Sequence, residues 1–264
     1  MTNGQAITDR DTSPAQPVIR KIGMADLKDA LAGGLADFNA MPTHLIFLFP
    51  IYAIVMLIAA RVYAGYEALP LVFPLLAGYT MIGPLVATGM YELSRRREQG
   101  LDTSRMRAFD VLHSPSIRAI ATLGAGLMLV YFAWLGAAWA IYVLTFGGAP
   151  PTSILGFVEQ VFTTPAGWTL IIVGGGIGFL FATLAFTLSV ISFPMLLDRD
   201  VGIVTAVQTS IRAVLANPIT MGIWGFVIAA TLFIGAVPVF IGLAVALPVI
   251  GHAAWHLYRK VVEH

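Results

Sequence analysis

The sequence predicts an all-α membrane protein of six transmembrane helices in three hairpin units, each preceded by a short interfacial amphipathic helix. Three observations predict it. Of 264 residues, 58% are hydrophobic and only 11% charged, against roughly 25% charged in an ordinary soluble domain, so most of the surface must face something other than water. Charge-free runs recur at the length that crosses hydrocarbon, about 20 residues. The Lys and Arg residues gather on one side of the resulting topology.

The spans follow from the gaps between charges. Asp37 and Arg61 bracket a first span near 43–60, and Glu67 and Glu92 a second near 70–92. No residue between Arg118 and Glu159 is charged, which gives a third span near 118–145; a fourth, near 166–195, lies between Glu159 and Asp198. The run from Arg212 to Arg259 is also uncharged but too long for one helix, and Pro238 divides it into a hairpin near 218–236 and 239–258. A transmembrane barrel would need strands alternating apolar and polar residues. Segments 45–60 and 168–193 do not alternate.

Six spans put both termini and the loops after spans two and four on one side. Fourteen of the fifteen Lys and Arg residues fall there, and Arg61 alone falls opposite. Positive-inside bias makes the basic side cytoplasmic, in a bacterial inner membrane. The polar stretch at 1–22 reads as a disordered cytoplasmic tail and not as a signal peptide. Residues 23–264 form one membrane domain with units near 23–97, 98–198 and 199–261.

The units come from an internal repeat. Residues 24–96 and 200–260 share one plan: an amphipathic helix, a proline, then two spans ending in an aromatic and basic cluster. Leu27, Leu31, Leu35 and Phe38 form the first apolar stripe; Ile203, Val207, Ile211 and Val214 have similar spacing. Pro42 and Pro218 are equivalent, and Pro74 and Pro84 are spaced like Pro238 and Pro248. The middle unit is looser: Met106, Phe109 and Leu112 lead to Pro115, and Pro194 lies late in its second span. Prolines and apolar stripes are common in membrane proteins, so chance is the competing explanation. Pro84, Pro194 and Pro248 are the candidate helix kinks. Gly174 and Gly178 form a small-residue face suited to internal packing or, as the alternative, a dimer.

The run Gly34–Phe38 before Pro42, and Gly83-Pro84 leading through Tyr91-Glu92-Leu93-Ser94-Arg95-Arg96-Arg97-Glu98 to Gly100, carry a resemblance. Over about residues 20–260 the chain resembles an uncharacterised family of predicted six-helix integral membrane proteins, a domain of unknown function, from alphaproteobacteria. The resemblance implies location and architecture but no chemistry.

The residues themselves offer little chemistry. No cysteine is present, which excludes disulfides, thiolate metal sites and cysteine nucleophiles. A net charge of +1 gives no field for nucleic acid. No ionisable residue falls near a bilayer midplane, where coupled transporters usually carry one. His252 and His256 share a helix face, and His44 begins span one at similar depth, so these three are the candidate metal or haem ligands. The alternative is that they are interfacial anchors beside Trp255 and Tyr258. No carboxylate is close in sequence to orient them, and no cofactor or metal is expected. Ser94 and Ser192 have no evident base partner in the sequence. Arg95, Arg96, Arg97, Arg259 and Lys260 are juxtamembrane and serve topology or lipid headgroups. The expected partners are membrane lipids and other membrane-protein subunits, not nucleic acid.

Three functions compete: a non-enzymatic scaffold, assembly factor or accessory subunit; a channel or transporter for a small neutral or lipid-like molecule; and a lipid-active enzyme. The third requires Glu92, His113, His252 or His256 to converge. A polar cavity between units favours transport, and a tight glycine-lined bundle favours the scaffold.

The topology gives a direct expectation. Reporter fusions after residues 65 and 155 should read outside, and fusions after residues 105 and 205 inside; the reverse at any two points overturns the arrangement.

Overall fold

Long apolar runs, several of them holding an internal proline, produce a chain whose described residues are mostly helical. The computed structural model describes residues 17–41, 43–238 and 240–263; at 44–49, 79, 80 and 82 the description is of the backbone. Residues 1–16, Pro42, Val239 and His264 lie outside the described residues, and with them most of the expected tail and the Pro42–Pro218 equivalence.

Among the described residues, three helices are long and apolar enough to cross a membrane. The first is α5 (Ile117–Phe146). The second is α7 (Pro165–Ser189), which continues after a short break at Val190–Ile191 into α8 (Ser192–Asp198). The third is α10 (Pro218–Ala236). Two of the starts have a local cause. The Thr164 hydroxyl accepts from the Gly167 N–H and Pro165 follows as the first helical residue, where its missing donor costs nothing. Pro218 does the same for α10.

Helices also occupy the other three intervals. They are α2 (His44–Ala64), the pair α3 (Val72–Val86) and α4 (Thr88–Glu98), and α11 (Leu243–Val261). α3 and α4 are divided at Ala87, three residues after Pro84. Pro194 lies just beyond the α7–α8 break, whereas Pro248 sits inside an uninterrupted α11. Two short 3-10 segments, Tyr66–Leu71 and Arg105–His113, precede α3 and α5. The turn between α10 and α11 is tight: a Cβ on Gly242 would come within 2.8 Å of the Gly235 Cα, and Phe240 takes a positive φ of 64°.

In three of the remaining segments the most deeply buried row is offset from the apolar stripe. On α1 (Met24–Ala40) the buried row is offset from the first apolar stripe. Leu27 is buried and Leu31 partly so, but Leu35 is 49% exposed, and the buried row is Leu27, Ala30, Gly34 and Asp37. On α9 (Gly202–Ala216), Ile203, Val207, Ile211 and Val214 are only half-buried while Ala206, Thr209, Ser210 and Ala213 are buried. In the 3-10 segment Met106, Phe109 and Leu112 face outward at the three-residue period of that helix, and Ala108 and Val111 face in. One helix, α6 (Ile154–Thr163), was not expected. It is capped by the Ser153 hydroxyl and carries outward-facing Leu155, Val158 and Phe162 beside Glu159.

Residues 17–22, assigned by sequence to the tail, are tied down. Ile19 and Val262 form an antiparallel bridge, with Arg20 N–H donating to the Val261 carbonyl at 2.8 Å and Glu263 N–H to Val18 at 3.0 Å.

α1 lies along α11 in the most extensive contact of the molecule. Glycine makes it possible: a Cβ on Gly34 would stand 2.6 Å from both the Ala253 Cβ and its backbone N, and one on Gly33 would stand 2.8 Å from the His256 ring. By contrast Gly174, Gly175 and Gly176 on α7 have nothing within 4 Å, and only Gly178 of that run packs, on Trp134 of α5.

This contrast is testable by reversible unfolding in mixed micelles. Gly34→Ala should cost about 1–3 kcal/mol through overpacking, whereas Gly175→Ala should be neutral or slightly stabilising, by up to about 1 kcal/mol of helix propensity. Equal effects at the two positions would contradict the packing described.

Candidate functional site

One end of the molecule collects most of the ionisable side chains, and its centre is Asp37. Helical spacing delivers the partners. Asp37 falls on the same face of α1 as Ala30 and Gly34, so it is carried into the α1–α11 contact and is 3% exposed. Ser94 and Arg97 are three apart on α4, and His252 and His256 four apart on α11. All four reach the same carboxylate or its neighbour.

The Ser94 hydroxyl donates to Asp37 Oδ2 at 2.5 Å. His256 Nε2 donates to the same oxygen at 2.9 Å. The Arg97 guanidinium donates to Oδ1. His252 Nδ1 lies 2.8 Å from Ser94 Oγ and 3.9 Å from Asp37. Because the hydroxyl proton goes to the carboxylate, Ser94 Oγ is left to accept from the imidazole, which assigns the proton of His252 to Nδ1. Its Nε2 is buried with no hydrogen-bond partner among the described residues. Burial alone would push the Asp37 carboxyl up, but the hydrogen bonds from His256, Ser94 and Arg97 outweigh it and hold its pKa down at about 2.

This arrangement corrects the sequence reading. Ser94 does have an imidazole neighbour, and the histidines do have a carboxylate, supplied by α1 and not by the local chain. The order of protons is nevertheless wrong for a nucleophile: Ser94 gives its proton to Asp37, and it is 1% exposed, out of reach of a substrate. Asp37 takes three donors, from Ser94, His256 and Arg97, so both of its oxygens are already engaged. No group of three or more His, Asp or Glu among the described residues is placed to hold a metal ion. The side chain of the third candidate ligand, His44, lies outside the described residues.

The aromatic neighbours of these histidines are also structural. Trp255 and Tyr258 are fully buried; the indole N–H donates to Glu98 at 3.1 Å and the phenol to Asp198 at 2.7 Å. Ser192 donates to the carbonyls of Leu188 at 2.6 Å and Ala206 at 3.1 Å, tying α8 to α9.

The juxtamembrane basic residues all have carboxylate partners. Arg95 pairs with Glu92 at 2.8 Å and Arg96 with Glu92 and Asp110 at 3.6 and 3.2 Å. Arg259 pairs with Glu98 at 2.9 Å, and Lys260 with Asp29 at 2.8 Å and Asp26 at 3.4 Å. Burial and polarity thus divide α4 into two faces. Glu92, Arg95 and Arg96 share one side of the helix, and Ser94, Arg97 and Glu98 the other. Glu92 and His113 line one groove, while His252 and His256 belong to the Asp37 cluster. The four side chains named for a lipid-active enzyme therefore come together in two pairs on opposite sides of α4, not as one site.

Asp37 was missed in the sequence except as a boundary charge. The available signal is its place one turn after Gly33 and Gly34 and two turns after Ala30, a row too small to be a lipid-facing stripe.

Residues 72–198, from α3 to α8, match the model of a family described as "Predicted integral membrane protein (DUF2189)". No curated protein and no solved structure matches the chain. The matched segment contains Ser94, Arg97 and Glu92 but neither Asp37 nor the two histidines. Together with three apolar helices of membrane-spanning length, the match identifies an integral membrane protein whose function is not defined by the family.

The Asp37 cluster predicts a pH dependence with a definite sign. A carboxylate held below its ordinary 3.8 contributes stability that is complete above that value and is lost as pH falls through about 2. The chain should therefore lose stability between about pH 4 and 2, and Asp37→Asn should flatten that window. At neutral pH the variant should be less stable by about 2–3 kcal/mol, the worth of charge-assisted hydrogen bonds. A wild-type-like acid profile in Asp37→Asn would contradict the assignment.

Proposed function

We propose that this chain is a non-enzymatic scaffold or accessory subunit of a membrane complex, in a bacterial inner membrane, with six spans in three hairpin units and both termini cytoplasmic. The observation that carries the reading is that the polar side chains are engaged with one another at one end, while the apolar helices offer no polar route. α7 and α10 contain no Asp, Glu, Lys or Arg, and in α5 the one such residue is Arg118 in its first turn. Of the open grooves among the described residues, one is lined by residues 17–19 and α9 and another by α4, the second 3-10 segment and Leu197. Neither is lined by α5, α7 or α10.

Close glycine contacts at Gly33, Gly34 and Gly251 fill the space between α1, α4 and α11 where a transport site at the junction of the first and last units would have to open. The outer faces of α6 and α7 carry large exposed side chains such as Leu155, Phe162, Phe179 and Leu180, which suit lipid or a neighbouring subunit. Buried Ser94 and its proton donation to Asp37 argue against acyl transfer, so no reaction is assigned.

The test is cross-linking in native membranes followed by purification in mild detergent. A stable, stoichiometric assembly with another membrane protein is expected. A chain that purifies alone, or that carries a small neutral solute across proteoliposomes, would overturn the proposal.

A further inference from the structure

The groove on the other side of α4 has the composition of a zwitterion site. It has a volume of about 350 Å³ and is walled by Glu92, Arg95, Arg96, Asp110 and His113 over Leu197. Two guanidinium groups face two carboxylates, so the wall has both signs and little net charge. Such a site gives no long-range pull on a net anion but complements a molecule that carries both charges a few ångströms apart.

The two halves are separately available. Glu92 is almost completely buried and takes the Arg95 donors on Nε and Nη2, at 2.9 and 2.8 Å. A guanidinium has five donors, so this pairing does not exhaust Arg95, which is 30% exposed at the rim. Asp110 is 34% exposed and also at the rim, held by Arg96 at 3.2 Å and Arg107 at 3.5 Å. An anion meets Arg95 and His113, and a cation meets the Asp110 carboxylate.

Position selects the source of the zwitterion. Pro115, at the groove's edge, lies two residues before the apolar helix α5 begins at Ile117. Phe109 and Leu112, beside the groove on the 3-10 segment, are exposed apolar side chains. A polar slot with an apolar shoulder at the mouth of a membrane-length helix lies at headgroup depth. The slot is lined by no Phe, Tyr or Trp, so no aromatic cage encloses a quaternary ammonium there, whereas a primary ammonium can donate hydrogen bonds to Asp110.

We propose that this groove binds the phosphoethanolamine headgroup of a membrane phospholipid, with Arg95 and His113 on the phosphate and Asp110 on the ammonium. The experiment is native mass spectrometry of the full chain in detergent with added phosphatidylethanolamine, phosphatidylglycerol or phosphatidylcholine of identical acyl chains. Phosphatidylethanolamine should be retained about tenfold over each of the others, and Asp110→Asn should remove that preference, the difference expected for one charge-assisted hydrogen bond. His113→Ala breaks none of the groove's ion pairs and should weaken phosphatidylethanolamine retention while the fold is kept, so a folding failure of Asp110→Asn does not decide the matter. Equal retention of the three lipids, preference for phosphatidylglycerol, or unchanged retention in His113→Ala would overturn the proposal. Soluble O-phosphoethanolamine binding as well as the lipid would overturn its assignment to a membrane lipid.

Discussion

A carboxylate buried between two helices has to be satisfied, and much of this structure follows from how Asp37 is satisfied. Removing an ion from water costs several kcal/mol unless good hydrogen bonds replace the solvent. α1 cannot supply them itself. Ser94 and Arg97 come from α4, and His256 from α11, so one side chain fixes the relation of three segments spread over most of the chain. The glycines at 33 and 34 are part of the same constraint, because only without a Cβ does α1 approach α11 closely enough for His256 to reach Asp37.

Around this point the charged end is a network of internal ties. Glu98 joins Trp255 and Arg259, Asp198 receives Tyr258, and Lys260 bridges to Asp26 and Asp29. Exposed pairs of this kind are individually worth little. Their combined effect is geometric: they bring the first, fourth and last helices together at one end and leave α5, α6 and α7 to present apolar surface outward. Basic residues that act as topology signals in the sequence are in the fold also the counter-ions of buried carboxylates.

How much was legible depended on which solvent the rule assumed. Charge gaps and proline starts located the apolar helices well: α10 occupies 218–236 and α5 lies within a residue of 118–145 at each end. On α1, α9 and the 105–113 segment the most deeply buried row is not the apolar stripe, for one reason. In water an apolar stripe marks the buried side, but lipid is as apolar as a helix neighbour, so packing is decided by small and polar residues that allow close approach and hydrogen bonding. Leu35, Met106, Phe109 and Leu112 accordingly face out, while Ala30, Gly34, Asp37, Ser210 and Ala213 face in. The Ser94–His252 contact was invisible because it joins residues 158 apart in sequence. α6 was missed because it is only ten residues long and lies inside an expected loop.

The central claim is that the Asp37 carboxylate couples α1 energetically to α4 and α11. A double-mutant cycle between Asp37→Asn and Arg97→Gln, and a second between Asp37→Asn and His256→Ala, measures that coupling by reversible unfolding in mixed micelles. Both cycles should give an interaction energy of about 1 kcal/mol or more, since the residues share one hydrogen-bonded network. Additive losses in both, within about 0.3 kcal/mol, would contradict it.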